Sequence, residues 1–109
     1  MNKLSLFFLF VLLATFLNAA VYKGQRVFVK ECLTCHKDGL ELLASKDMKA
    51  WGALMDKQGS ELAEVHLKDI RAEDSWSYFS GALYIKKSKH LRQFLVEYAR
   101  DSGNIPTLD

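Results

Sequence analysis

The cysteines of this chain lie together in one short segment. Cys32 and Cys35 are separated by two residues, His36 follows directly, and the 109 residues contain no other cysteine. Thiolates and imidazoles are the side chains that proteins use to hold transition metals and to carry out redox chemistry. The segment "CLTCH" is therefore the first candidate for a functional site.

Four kinds of chemistry could use this cysteine pair. A dithiol redox pair is expected within a thioredoxin-like βαβ unit, which the sequence lacks, and a zinc site needs further cysteines or well-spaced histidines. A structural disulfide is a third alternative. The C-x-x-C-H pattern is the attachment signature of a c-type haem, in which two thiols add to the vinyl groups and the histidine ligates the iron. The sequence predicts one covalent haem c, with Cys32 and Cys35 as thioether residues and His36 as the proximal ligand.

The amino terminus predicts export. Lys3 precedes fourteen uncharged residues that begin at Leu4, and the small-residue segment "NAA" follows. This is the pattern of a secretory signal peptide, and the apolar run is shorter than the ~20 residues that span a bilayer. We expect residues 1–20 to be a signal peptide cleaved after Ala19 or Ala20, with the alternative that the segment is retained as an anchor. Export to the periplasm agrees with the motif, because haem attachment of this kind is expected on exported chains.

The mature chain, residues 21–109, has the size of one small domain. It carries 14 basic and 13 acidic side chains once Lys3 is removed from the totals of 15 and 13. This near-neutral balance argues against nucleic-acid binding, which usually needs a basic excess. Domains of this size often need a staple to be stable, and a covalent cofactor would supply one.

Hydrophobic spacing predicts an all-α fold, a small bundle of about four short helices around the haem. No alternating strand pattern is convincing, and the aromatic-rich segment 71–87 is expected to be irregular. In that segment Trp76, Tyr78 and Phe79, like Trp51, are expected to pack in the core or against the porphyrin. The expected helices begin near Gly24, at Ser45, at Ser60 and at Ser88, and the second and fourth end near Gly59 and Gly103.

The two ends of the mature chain resemble the class I c-type cytochromes. "GQRVFVKECLTCH" is similar to the first helix and haem motif of that family, and "HLRQFLVEYA" is similar to its last helix. The resemblance covers about a third of the mature domain. It implies that the last helix crosses the first near Gly24 and Phe28, at a glycine that allows close approach. The helix residues expected at this crossing are Leu91, Phe94 and Leu95.

The middle of the chain departs from that family. Its members usually have a proline soon after the haem histidine and a methionine ligand before the last helix. Here the only proline is Pro106, and no methionine follows Met55. The distal ligand therefore cannot be carried over from the resemblance.

Four side chains are candidates for the distal ligand: Met48, Met55, His66 and His90. His66 lies within the apolar stripe of an expected helix, where an unpaired imidazole would cost free energy unless it were bound. Met55 is the first alternative, since it faces inward beside Trp51 and thioether sulfur is a common haem c ligand. His90 occupies a boundary position on the last helix.

An iron with two strong protein ligands has no open position for a substrate, so the expected function is electron transfer and not catalysis. We expect a periplasmic electron carrier or the haem subunit of an oxidoreductase. The alternative is a haem-based sensor or gas-binding protein with a displaceable sixth ligand. The basic run "KKSKHLR" is expected either to dock an acidic redox partner or to be a solvated helix face. Its cationic residues are Lys86, Lys87, Lys89 and Arg92.

Overall fold

The computed structural model describes residues 19–108, within which every regular element is helical and no strand occurs. The expected all-α class is therefore confirmed. Of the signal peptide expected over residues 1–20, only Ala19 and Ala20 fall within the described residues, and both are helical. None of the helices within 19–108 is long and apolar enough to cross a membrane.

The elements in order are α1 (19–27), a π-helical turn Phe28–Cys32, α2 Gly39–Ala44, α3 Met48–Leu54, α4 Asp56–Leu67, a 3₁₀-helix Ile70–Ser75, α5 Trp76–Phe79 and α6 Ala82–Glu97.

Helix α1 leads directly into the cysteine motif. Its last turn widens to the π form at Phe28–Cys32, and the chain then turns through residues 33–35. The His36 N–H donates to the Cys32 carbonyl at 2.8 Å, which folds the motif into one further turn. Single π turns within helices are frequent at functional sites because they re-aim the side chains that follow.

Aspartates, and not the expected serines, begin the short helices in the first half of the domain. Asp38 caps α2 by accepting from the Glu41 N–H, and Asp47 caps α3 by accepting from the Ala50 N–H. Ser45, which we expected to begin a helix, instead ends α2, where its hydroxyl donates to the Leu42 carbonyl at 2.6 Å. A carboxylate with extended backbone is a strong N-cap, so Asp47 moves the start of α3 two residues onward.

The junction of α3 and α4 contains three consecutive left-handed residues. Lys57, Gln58 and Gly59 have φ of 53°, 59° and 71°. The helix expected to run to Gly59 therefore ends at Leu54, and right-handed geometry resumes after Gly59. The Tyr84 hydroxyl donates to the Gly59 carbonyl at 2.6 Å, so the turn is tied to the core. This turn reverses the chain so that the second part of α4 packs beside α6.

The segment expected to be irregular is helical. It forms the 3₁₀-helix, α5 and the first turns of α6, which begins at Ala82, six residues before the expected start at Ser88. The reason is tertiary, because Tyr84 and Ser88 are both buried against the rest of the domain. Asp69 begins this region by accepting from the Arg71 N–H at 2.9 Å.

The expected crossing of the first and last helices is present. A Cβ on Gly24 would overlap the His90 carbonyl oxygen and lie 2.7 Å from the Phe94 Cβ, so only glycine allows this approach. Beside the crossing, the rings of Phe28 and Phe94 lie 5.1 Å apart. The core extends from this contact, and its fully or nearly buried side chains are Phe28, Leu43, Trp51, Met55, Ala63, Phe79, Tyr84, Leu91, Phe94, Leu95 and Ala99.

Candidate functional site

A cleft of about 540 Å³ opens beside the core, which is within the ~300–1,000 Å³ usual for cofactor and ligand sites. Its lining side chains come from the π-helical turn, the segment 35–36 and every later helical element of the described chain, but not from α1, and most of them are apolar. Its lining residues are Phe28, Glu31, Cys32, Cys35, His36, Leu42, Lys46, Trp51, Leu54, Leu62, Val65, His66, Asp69, Arg71, Ala72, Ser75, Phe79, Leu91 and Leu95.

All three residues of the attachment motif line this cleft. Cys32 is partly buried, while Cys35 and His36 are exposed at its mouth. Burial, with smaller effects of the nearby Glu31 and Cys35, raises the pKa of the Cys32 thiol to about 12. Both thiols are free, so the structure contains no disulfide between them. No group of three or more metal-binding side chains occurs within residues 19–108.

His66 of α4 lies across the cleft from His36. The centroids of the two imidazole rings are 6.2 Å apart and their planes make an angle of 73°. An imidazole nitrogen ligates a metal at about 2.0 Å and lies about 1.15 Å from its ring centre, so two imidazoles on opposite sides of one metal have centroids about 6.3 Å apart. The separation of the two ring centroids thus agrees with two imidazoles that would hold a single metal atom between them.

One nitrogen of each ring is available for this role. His66 Nδ1 lies 2.8 Å from the Leu62 carbonyl oxygen, and because a carbonyl only accepts, Nδ1 carries the proton. The lone pair of His66 is then on Nε2, the tautomer in which the other nitrogen can bind a metal. Partial burial, together with the proximity of His66, lowers the pKa of His36, which favours the neutral imidazole that a metal needs.

Two aromatic residues hold His66 in place. The Phe79 ring stacks on the imidazole with centroids 4.3 Å apart and an interplanar angle of 29°. The Trp76 indole N–H donates to the His66 carbonyl at 2.8 Å. Trp76 and Phe79 both lie in the segment that was expected to be irregular. Of the four aromatic residues expected in the core or against the porphyrin, Trp51 and Phe79 line the cleft, whereas Trp76 and Tyr78 do not.

The other candidates for a distal ligand lie outside the cleft. Met55 is only 2% exposed and packs in the core near Gly59, and Met48 is 40% exposed at the start of α3. His90 lies at the crossing with α1, where its Nδ1 is buried without a hydrogen-bond partner among the described residues. Of the four candidates, only His66 lines the cleft.

The charged residues at the cleft differ from those expected to dock a partner. Lys46, whose Nζ lies 5.7 Å from the centre of the Trp51 ring, and Arg71 line the cleft. Hydrogen bonds from Arg71 lower the pKa of the Asp69 carboxyl to about 2, so the pair is ionised at neutral pH. None of the basic residues of "KKSKHLR" lines the cleft, and Arg92 instead donates to the Gly52 carbonyl and pairs with Asp56, each at 3.4 Å.

Comparisons with known proteins identify no relative of this chain, since no family model, no curated protein and no solved structure matches it.

Proposed function

We propose that this chain is an exported monohaem c-type cytochrome that works as an electron carrier or as the electron-transfer subunit of an oxidoreductase. In this proposal Cys32 and Cys35 form the thioether bonds, His36 is the proximal iron ligand and His66 is the distal ligand. The redox partner is a second protein, and the site of action is the periplasm.

The observation that carries the proposal is the distance between His36 and His66. The two rings lie 6.2 Å apart across a cleft that is also lined by Cys32 and Cys35. A dithiol redox site has no use for a second imidazole at that distance, and a zinc site needs at least three side chains that converge on one point, a grouping that does not occur within residues 19–108. Covalent haem uses all four side chains.

The chain's residues define what such a site can do. When bound, the haem supplies a one-electron redox centre. Imidazoles on both sides leave no position for a substrate, and nitrogen in place of a thioether as the sixth ligand favours a lower reduction potential. Apolar side chains such as Phe28, Leu91 and Leu95 exclude water from the cleft. Electron exchange is expected at the mouth, where Cys35 and His36 are exposed.

Expression together with a c-type haem attachment system tests the proposal. The exported protein should gain the mass of one haem, and this gain should survive denaturation and extraction with acidic solvent. The matched control is the Cys32→Ala, Cys35→Ala double variant, which should not retain haem after the same treatment. A wild-type protein that lost its haem to acidic solvent, or that never acquired any, would contradict the proposal.

Carbon monoxide separates the carrier from a gas-binding sensor. The reduced carrier should bind it poorly, because His66 already occupies the sixth position. Ready binding to the native protein would favour the sensor and would remove His66 as a firm ligand.

A further inference from the structure

The plane of the His66 ring is fixed by its neighbours. Phe79 stacks on one face of the imidazole, at 4.3 Å between centroids. Phe79 is only 8% exposed, and the rings of Tyr78 and Tyr84 approach it at 4.9 and 5.0 Å. Tyr84 is in turn anchored by its hydrogen bond to the Gly59 carbonyl. Phe79 therefore has little freedom to rotate, and it limits the rotation of the imidazole that stacks on it.

A hydrogen bond supplies the second constraint. The His66 Nδ1–H donates to the Leu62 carbonyl one helical turn earlier, which fixes the direction in which the ring leaves α4. The contact with Phe79 then selects the rotation of the ring about that direction. The resulting plane is 73° from the plane of His36.

We propose that Phe79 is a positioning residue that sets the plane of His66 and, through it, a nearly perpendicular arrangement of the two axial imidazoles. This inference rests on the proposed function, since it takes both histidines as iron ligands. Phe79 acts through His66 and is not itself a ligand.

The relative orientation of two axial imidazoles has a direct spectroscopic signature. In a low-spin ferric haem, parallel ring planes separate the energies of two iron orbitals and give an ordinary rhombic electron paramagnetic resonance spectrum. Perpendicular planes leave those orbitals nearly equal in energy and give a highly anisotropic spectrum with one large g value. The angle of 73° predicts the anisotropic type for the native protein.

The experiment compares frozen ferric holoproteins. The wild type should give the large-g signal, Phe79→Leu should lose it in favour of a rhombic signal, and Phe79→Trp, which restores a flat ring, should recover it. Phe94→Leu is the matched control, because it removes another buried phenylalanine, one that packs on Phe28 and does not line the cleft. If Phe79→Leu does not bind haem, Phe79→Met takes its place in the comparison, because its side chain fills more of the volume but has no flat ring.

Two results would overturn the inference while leaving the proposed function intact. One is a rhombic spectrum in the wild type, and the other is an unchanged large-g signal in Phe79→Leu or Phe79→Met. Failure of the proposed function looks different, because the native protein would then lack covalent haem, bind carbon monoxide readily or show a methionine ligand.

Discussion

The imidazole of His66 faces that of His36 across the cleft, with ring centroids 6.2 Å apart. The two residues belong to elements that are distant in sequence but adjacent in the fold, the turn after α1 and the second part of α4. Because Met55 lies in the core and does not line the cleft, a thioether sulfur is not available at this position without rearrangement of α3. The geometry thus favours nitrogen ligation on both sides.

Removal of the His66 imidazole should open the iron. In His66→Ala the sixth position has no protein ligand, so the reduced protein should bind carbon monoxide stoichiometrically, whereas the wild type should bind it poorly. Met55→Leu is the control, and it should keep the low-spin spectrum because Met55 only packs in the core. Optical spectra of the reduced proteins with and without carbon monoxide measure both effects. A ligated methionine methyl in the paramagnetic NMR spectrum of the wild type would contradict bis-histidine ligation.

The sequence alone named the residues of the proposed site. The spacing of Cys32, Cys35 and His36 specifies a local motif, and the helical period predicted an inward position for His66, although Val65 and Ile70, expected on the same apolar stripe, are 58% and 69% exposed. The sequence does not show that the cysteine motif and His66 lie in one cleft, because their proximity depends on the left-handed turn at 57–59. That turn is stabilised by a contact with Tyr84, 25 residues later, which no local pattern reveals.

The fold was predicted at the level of class but not of boundaries. Helix α2 was not expected, since it has only six residues, and α6 was expected to begin at Ser88. Local rules favoured serine caps, while packing of Tyr84 extended α6 towards its amino end. Tertiary burial commonly overrides such local preferences. By contrast, the crossing at Gly24 was predicted correctly. The prediction used the small size of this residue and the resemblance of the first and last helices to those of a known family.

The protein without haem should be largely unfolded. Without haem the apolar walls of the cleft stay exposed to water, and each large apolar side chain left exposed forgoes about 1.5–3 kcal/mol of burial, so several of them together would cost several kcal/mol. That is comparable to the whole stability of a typical domain, about 5–15 kcal/mol. Circular dichroism of the Cys32→Ala, Cys35→Ala variant purified without haem should show reduced helix content and no cooperative thermal transition. A sharp transition in that variant would mean that the protein core is sufficient alone.

The rate of electron transfer at the cleft should depend on the acidic residues beside it. The segment 61–75, which forms one side of the cleft, carries five acidic and two basic side chains, while none of the basic residues of the run 86–92 lines it. Asp74 lies three residues after the cleft residue Arg71, so on a 3₁₀-helix both share one face. Reduction of a cationic metal complex should therefore slow as salt rises, and that of an anionic complex should accelerate.

Variants that remove charged side chains show which residues cause the salt dependence of the rate. Glu73→Gln with Asp74→Asn should weaken the salt dependence measured with the cationic complex, whereas Lys86→Gln with Lys87→Gln should leave it nearly unchanged. Stopped-flow rates at several salt concentrations provide the comparison. The opposite ranking of the two double variants would return the docking role to the basic run, as the sequence alone suggested.

Gly59 should be more sensitive to substitution than any exposed glycine of the same conformation. Its φ is +71°, and an alanine there would bring a Cβ into overlap with the Tyr84 hydroxyl and to 3.1 Å from the Met55 Cε. The left-handed backbone costs an alanine about 1–2 kcal/mol, and displacement of Tyr84 from the Gly59 carbonyl adds about 1 kcal/mol or more. Gly103 is the matched control, since its φ is +79° but nothing lies within 4 Å of a Cβ built on it.

Urea unfolding of the holoproteins measures the difference. Gly103→Ala should lose only the conformational contribution, about 1–2 kcal/mol, while Gly59→Ala should lose about 2–3 kcal/mol or more. Because the turn at Gly59 also directs α4 towards the cleft, Gly59→Ala should weaken ligation by His66 and increase carbon monoxide binding. Equal losses of stability in the two variants, with no change in ligation, would show that Tyr84 adapts and that the turn does not control the position of His66.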